Sequence, residues 1–297
     1  RGLVKPPVLI QPQPGAQTAF SACRADICFY GGSAGGGKTQ GLLMEAARHF
    51  QVRNYSGVIF RRTFTDIKKA GGLWSKARAM YSVLGARLRE GADLDATWPE
   101  SGATVQFRGL EGEFDVETWQ GAELDFVGMD EATHFTEYQF WYIVSRLRST
   151  TGIKPYIRCT ANPDPDSWVR RLIDWWIGSD GLSIPERSGV LRWIVRHGEE
   201  VLNFPTRGEA QAWLDSVGDS DGQPKSLTFI SATLSDNPAL LKADPNYRGN
   251  LAMQDAVTRA RLLGGNWNAR AHAGALFNRA WFEVIDELIP DSQVRMR

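Results

Sequence analysis

The run Asp26-Ile-Cys-Phe-Tyr30-Gly-Gly32-Ser-Ala-Gly-Gly-Gly37-Lys38-Thr39 opens on apolar residues, passes through glycines and closes on a lysine and a hydroxyl. Its first part is a short apolar segment bounded by glycine, which predicts a buried strand. Leu42, Leu43, Ala46, Ala47 and Phe50 then recur at helical spacing, so an amphipathic helix is predicted from Lys38 to about Arg53. Gly57-Val-Ile-Phe60 is the next apolar run. Strand, glycine loop, helix and strand in this order predict a parallel α/β sheet.

The loop itself, Gly32 to Thr39, has the form G-x-x-x-x-G-K-T. Glycines let a backbone curl until successive N–H groups point at one anion, and the helix that follows adds its positive end. Gly32, Ser33, Ala34, Gly35, Gly36 and Gly37 are the expected cradle. Lys38 is expected on the β- and γ-phosphates of a nucleotide, and Thr39 on Mg²⁺.

Further along, Phe126-Val-Gly-Met-Asp130-Glu131 is an apolar strand ending in two carboxylates. After a phosphate loop, Asp130 suits the metal and Glu131 suits the general base that polarises an attacking water. Tyr156-Ile-Arg-Cys-Thr160-Ala-Asn162-Pro163 is a further strand that closes on small polar residues. Lying between the other two strands, it would bring Thr160 or Asn162 to the γ-phosphate; otherwise it ends in an ordinary Asn-Pro turn. Gln17, ahead of the first strand, is either a reader of the adenine edge or a solvated loop residue.

The remaining elements follow the same periodicities. A basic helix is expected over 64–81 with a break at Gly71-Gly72, and a hairpin over 95–108. Helices are expected over Glu137–Arg148, Trp168–Ile177, Arg207–Val217 and Asn246–Leu263. Val190–Arg196 with Glu200–Phe204 reads as a second hairpin, and Leu227–Ala232 as a strand. Residues 1–25 carry no clear period, and the character changes near 180. That divides the chain into an expected core over 1–180 and a linker or lid over 181–297 that keeps some core elements.

Composition bounds the answer. With 297 residues, 42% apolar and 23% charged, the chain is an ordinary globular one rather than a disordered one. No run approaches the ~20 apolar residues of a membrane span, so no membrane association is expected. Three cysteines without metal spacing predict buried free thiols, and the four histidines (49, 134, 197, 272) are given no metal or catalytic role. Net charge is zero, but 53–89 holds nine Lys/Arg against one acid, and 90–131 holds twelve Asp/Glu against one base. The basic block is the expected face for an anionic partner. A small GTPase is excluded because no Asn-Lys-x-Asp string occurs.

In this order the motifs resemble the ATPase part of the large terminase subunit of tailed bacteriophages. The likeness runs through Gly31–Thr39, Phe60-Arg61-Arg62-Thr63, Trp119-Gln-Gly121, Gly128-Met-Asp-Glu131 and Phe135-Thr136. It continues in Ser145-Arg-Leu-Arg148, Cys159–Pro163, Asp236-Asn237-Pro238, Gly264-Gly-Asn-Trp267 and Phe277. The resemblance implies a P-loop fold of the additional-strand catalytic-glutamate type, with a small C-terminal linker or lid. It implies an ATPase with ATP and Mg²⁺ as cofactors, working in the host cytoplasm. Implied partners are double-stranded DNA, the procapsid portal protein and a small terminase subunit. The active form would be a homo-oligomeric ring, a pentamer, and the isolated chain a monomer. A following nuclease domain is expected to be missing. A helicase-like DNA translocase is the alternative, but it needs a second RecA-like domain. Some family members carry an arginine where this chain has Ala34 or Gln120. The transition-state arginine is therefore expected elsewhere, at Arg146 or Arg148 and supplied across a subunit interface of the ring, with Arg61 and Arg62 as further candidates.

Overall fold

The structure is a computed structural model and describes residues 10–270; Phe277 and the rest of the last stretch lie outside them. One ten-stranded sheet organises the chain, in the order β3-β4-β5-β2-β6-β7-β1-β10-β8-β9. Its middle is parallel: β5 (Ala103–Gly109), β2 (Ser56–Arg61), β6 (Phe126–Met129), β7 (Tyr156–Ala161), β1 (Ile27–Gly32) and β10 (Lys225–Ala232). Antiparallel pairs close both edges: β3 (Arg87–Glu90) with β4 (Leu94–Trp98), and β8 (Arg192–His197) with β9 (Glu200–Phe204).

The central strands are buried on both faces, as parallel strands flanked by helices must be. Successive residues alternate between two cores. Cys28 and Tyr30 of β1 join Phe20, Leu42, Leu43 and Tyr81 on one face. Ile27 and Phe29 join Phe140, Trp168 and Trp176 on the other. The first face is covered by α1 (Ala16–Ala22), α2 (Lys38–Ala47), α3 (Phe64–Lys68) and α4 (Leu73–Val83). The second is covered by α5 (Glu137–Val144) and α6 (Trp168–Leu172). A satellite core of Val195, Ala210 and Leu214 joins α7 (Arg207–Ser216) to the β8–β9 edge. After β10 come α8 (Pro238–Ala243), α9 (Tyr247–Ala252) and α10 (Ala256–Leu262).

Several expectations need correction. Residues 16–22 are helical although they carry no long period, because only Gln17 and Phe20 face inward. The basic segment does break near Gly71-Gly72, into α3 and α4. The helix expected over Glu137–Arg148 ends at Val144, so Arg146 and Arg148 lie beyond it and do not serve its last turn. Asn246–Leu263 is two helices, because the Asp255 side chain accepts from Val257 and Thr258 N–H and starts a new one. Past position 180 the chain does return to the sheet, where β10 lies beside β1 as one of the core elements expected of the second segment.

Candidate active site

The C-terminal ends of β1, β2, β6 and β7 meet at one edge of the sheet. Gly32 ends β1 at φ 131, and a Cβ there would lie 2.2 Å from the Ala232 carbonyl oxygen, so the chain leaves the strand only because residue 32 is glycine. Gly37, at φ 76, sits in the left-handed region and starts α2. The cradle is narrower than the motif suggests. Ser33 N–H donates to Ala232 O at 2.9 Å and Ala34 N–H to Leu262 O at 2.7 Å, so these two amides brace the loop instead of facing an anion. A cavity of about 420 Å³ lies over Ala34 to Gln40, walled by Lys76, Asn162, Asn237, Leu240 and Tyr247.

Lys38 is buried and folded onto its own loop. Its Nζ donates to Ser33 O at 2.5 Å and Gly32 O at 3.3 Å. Burial lowers its pKa to about 8, while the nearby Asp130 and Glu131 carboxylates oppose that fall.

Asp130 follows β6 and is fully enclosed. Thr160 Oγ1 donates to Asp130 Oδ1 at 2.6 Å and accepts the Glu131 N–H at 3.0 Å, so one hydroxyl aligns both acids. Asp130 Oδ2 has no hydrogen-bond partner and faces Arg61 Nη1 at 3.6 Å. Burial raises the Asp130 pKa against the pull of Arg61 and Thr160. Glu131 adopts φ 59, ψ 55, a left-handed conformation that costs a non-glycine residue about 1–3 kcal/mol. Its Oε1 takes Arg61 Nη2 at 2.5 Å and its Oε2 meets His134 Nδ1 at 3.3 Å. The His134 hydrogen bond, then Arg61, hold the Glu131 carboxyl below its usual range although burial opposes them. The same bond raises His134.

Asn162 Oδ1 is buried without a partner and borders the cavity, beside Thr39. The donor set fits Mg²⁺. Asp130 keeps an enclosed oxygen without a hydrogen bond and Thr39 lines the cavity over the loop, and magnesium characteristically takes one or two carboxylates plus nucleotide phosphates. No cluster of three or more metal-binding side chains exists among the described residues, so phosphate oxygens would have to complete the shell.

Other expected residues are elsewhere. Gln17 is buried; its Nε2 donates to Gly37 O at 2.9 Å and its Oε1 accepts Gln13 N–H at 2.7 Å. That amide ties α1 to the loop and is not presented to a base. Arg148 donates to Gly121 O at 3.0 Å and pairs with Glu123 at 3.2 Å, and Arg146 stacks over Tyr142. Both flank the Leu124–Leu147 bridge that precedes β6. From Leu124 to Asp130 an extended chain covers about 20 Å, so neither arginine reaches its own site. Arg62 is spent on Leu110 O and Gln139. Arg61 is the candidate that lands in the site. His134 was given no role by its sequence position; its signal is the Glu-x-x-His spacing over a single tight turn.

A glycine phosphate loop after β1, a strand inserted between β1 and β6, and paired carboxylates after β6 define an additional-strand P-loop NTPase fold. Residues 29–284 match the family described as "Terminase large subunit, T4likevirus-type, N-terminal", and the chain belongs to that family. Comparison with curated proteins returns no match. Among solved structures, the large terminase from a thermophilic bacteriophage is similar at TM-score 0.56 and 15% identity, over 86% of this chain and 54% of that one. The same terminase in complex with ADP is similar at TM-score 0.51 and 15% identity, over 86% and 53%. The ATPase domain of the Thermus phage P74-26 large terminase is similar at TM-score 0.50 and 16% identity, over 85% and 93%. The chain thus spans about half the length of the first of these terminases, and at such identity the likeness is one of fold.

Proposed function

We propose that this chain is the ATP-hydrolysing motor part of a DNA-packaging terminase. The observation that carries the reading is the convergence of Lys38, Asp130, Glu131, Thr160 and Asn162 on one sheet edge, from three different strand ends. The amides of Gly35 to Thr39 and the start of α2 hold the phosphates. Lys38 exchanges the Gly32 and Ser33 carbonyls for phosphate oxygens. Thr39 and Asp130 would hold Mg²⁺, which when bound neutralises charge on the phosphates. Glu131 takes the proton of the attacking water, and must let go of Arg61 or His134 to do so. Thr160, bonded to both acids, and Asn162, facing the cavity, are placed to register the γ-phosphate.

The partners carry over from the family: double-stranded DNA, the procapsid portal, a small terminase subunit and a ring of copies, acting in the host cytoplasm. Among the described residues, no helix is long and apolar enough to cross a membrane. The basic block is less free than its composition suggests. Lys69 pairs with Asp66, Arg78 with Glu90, and Arg89 with Asp93 and Asp95. The acidic run folds back on part of the basic one, which leaves Arg53, Lys68, Lys76 and Arg87 without an acidic partner among the described residues as the DNA-facing candidates. If Arg146 or Arg148 serves hydrolysis, it does so for another copy's site.

The test is single-turnover hydrolysis across ATP, GTP, CTP and UTP, with and without duplex DNA and procapsids. ATP hydrolysis stimulated by DNA together with procapsids is expected. No hydrolysis of any nucleotide would overturn the reading, and equal stimulation by DNA alone would favour a translocase not tied to packaging.

A further inference from the structure

The cavity over the phosphate loop has a second lysine on its wall. Lys76 comes from α4 and lines the same space as Lys38, Thr39 and Asn162. Its charge reaches the enclosed acid, where it opposes the rise in the Asp130 pKa. The helix fixes where it stands. Leu73, Trp74, Ala77 and Met80 bury one face of α4 in the core, and Lys76 sits on the other face, exposed, one turn from the Gly72 start.

The charges around the cavity single it out. Lys38 is spent on loop carbonyls, and Arg61 is spent on Glu131 and Asp130. Among the neighbouring cations of this region, Lys69 has Asp66, Arg78 has Glu90, and Lys68 has no acid but donates to Gly91 O at 3.1 Å. Lys76 has no acid and no side-chain hydrogen bond among the described residues. Arg146 and Arg148 stand at the far ends of the strands. Of the two lysines that line this cavity, Lys76 is the one without an acid or a side-chain hydrogen bond among the described residues.

We propose that Lys76 is a catalytic residue that contacts the γ-phosphate and stabilises its charge in the transition state, acting within its own chain. This rests on the nucleotide reading above. In the step, the water oxygen bonds to phosphorus as the bond to the β–γ bridging oxygen breaks, giving ADP and phosphate. Glu131 takes the water's proton, and Lys76 keeps its own and supplies only charge. Its four-carbon stem and compact ammonium suit a group that follows a moving phosphoryl, at the cost of the two-pronged grip an arginine offers.

The experiment compares wild type, Lys76→Ala, Lys76→Arg and Glu131→Gln for kcat and KM with ATP, for ADP affinity, and for duplex DNA affinity against salt. The expected result is a kcat for Lys76→Ala lowered by roughly tenfold to a hundredfold, with ADP affinity unchanged and Lys76→Arg retaining most of the rate. The loss should be the same in dilute and concentrated protein. Melting curves matching wild type exclude a folding defect, and the Lys76→Arg rescue separates charge from packing. Wild-type kcat in Lys76→Ala, while Glu131→Gln is inactive, would overturn this proposal and leave the ATPase reading standing. A Lys76→Ala change confined to DNA affinity and its salt slope would also overturn it, assigning the residue to the DNA surface. Failure of wild type to hydrolyse ATP would instead sink the underlying reading.

Discussion

The two ends of the parallel strands treat buried polar groups in opposite ways. At the N-terminal ends such groups are saturated. Asp26 accepts from Ser226 N–H at 2.8 Å, Ser226 Oγ at 2.7 Å and Lys154 at 2.6 Å. Asp125 accepts from Ser56 N–H at 2.9 Å and Thr151 Oγ1 at 2.8 Å. At the C-terminal ends, Asp130 Oδ2, Asn162 Oδ1, Ser33 Oγ and Arg61 Nε have no partner, and Glu131 holds a left-handed backbone. A buried polar atom without a partner costs about 1–3 kcal/mol. One end therefore stabilises the fold, and the other stores an unmet demand that a bound nucleotide can meet. Glu45 and Arg158 qualify the contrast: Oε2 and Nε lack hydrogen bonds, yet they face each other at 3.5 Å inside the core.

The contrast breaks most visibly at Lys38. Lys38→Ala should abolish hydrolysis and strongly weaken ATP binding, with the melting temperature near wild type; wild-type turnover would remove the phosphate loop from the argument. Next is Glu131→Gln, which should bind ATP and turn it over slower by ~10² or more in a single-turnover assay. If Asp130→Asn stops chemistry and Glu131→Gln does not, the two acids have exchanged roles.

Asp26→Ala probes the other end, and should lower stability by about 1–3 kcal/mol in chemical denaturation while leaving kcat unchanged. Burial pushes the Asp26 pKa up, but Lys154 and Ser226 win and hold it below its ordinary value. Its contribution is thus present above the ordinary aspartate range and is lost as pH falls through the lowered value. Denaturation midpoints from pH 6 down to 3 should show a smaller acid loss in the variant than in wild type.

The smallest effect is expected at His134, which faces Glu131, Arg61 and Asp66. Because its pKa is raised, the charged ring keeps its hold on Glu131 above pH 6.5 and releases it as pH climbs further. Turnover should therefore rise a few-fold through that window, and His134→Asn should flatten the rise. An unchanged pH profile would confine His134 to a structural contact.

Much of the site was legible from local pattern. The apolar run into Gly31-Gly32, the helix after Lys38, and the strand into Asp130-Glu131 each carry their own period, and the structure keeps all three. Short elements were not legible. Strand β3 is four residues long, three of them charged and exposed, so it shows no alternating burial, and α1 turns only two side chains inward, too few to mark a period. Which arginine stands near the acids of its own chain was not legible, because sequence distance is a poor guide here. Arg61 is 70 residues from Glu131 and touches it, whereas Arg148 is 17 residues on and lies at the far strand ends.

What the chain's residues determined alone is the set of elements and the phosphate-loop chemistry, since both follow from burial periods of two and 3.6 and from glycines where no Cβ fits. Which charges meet was decided only by strand order. Placing β7 between β1 and β6 sets Thr160 against both acids, placing β2 beside β6 brings Arg61 to Glu131, and folding the 90–95 acids onto 78 and 89 neutralises much of the basic block. Electrostatic and hydrogen-bond energies depend on distances of a few ångströms, and long-range strand pairing alone sets those distances.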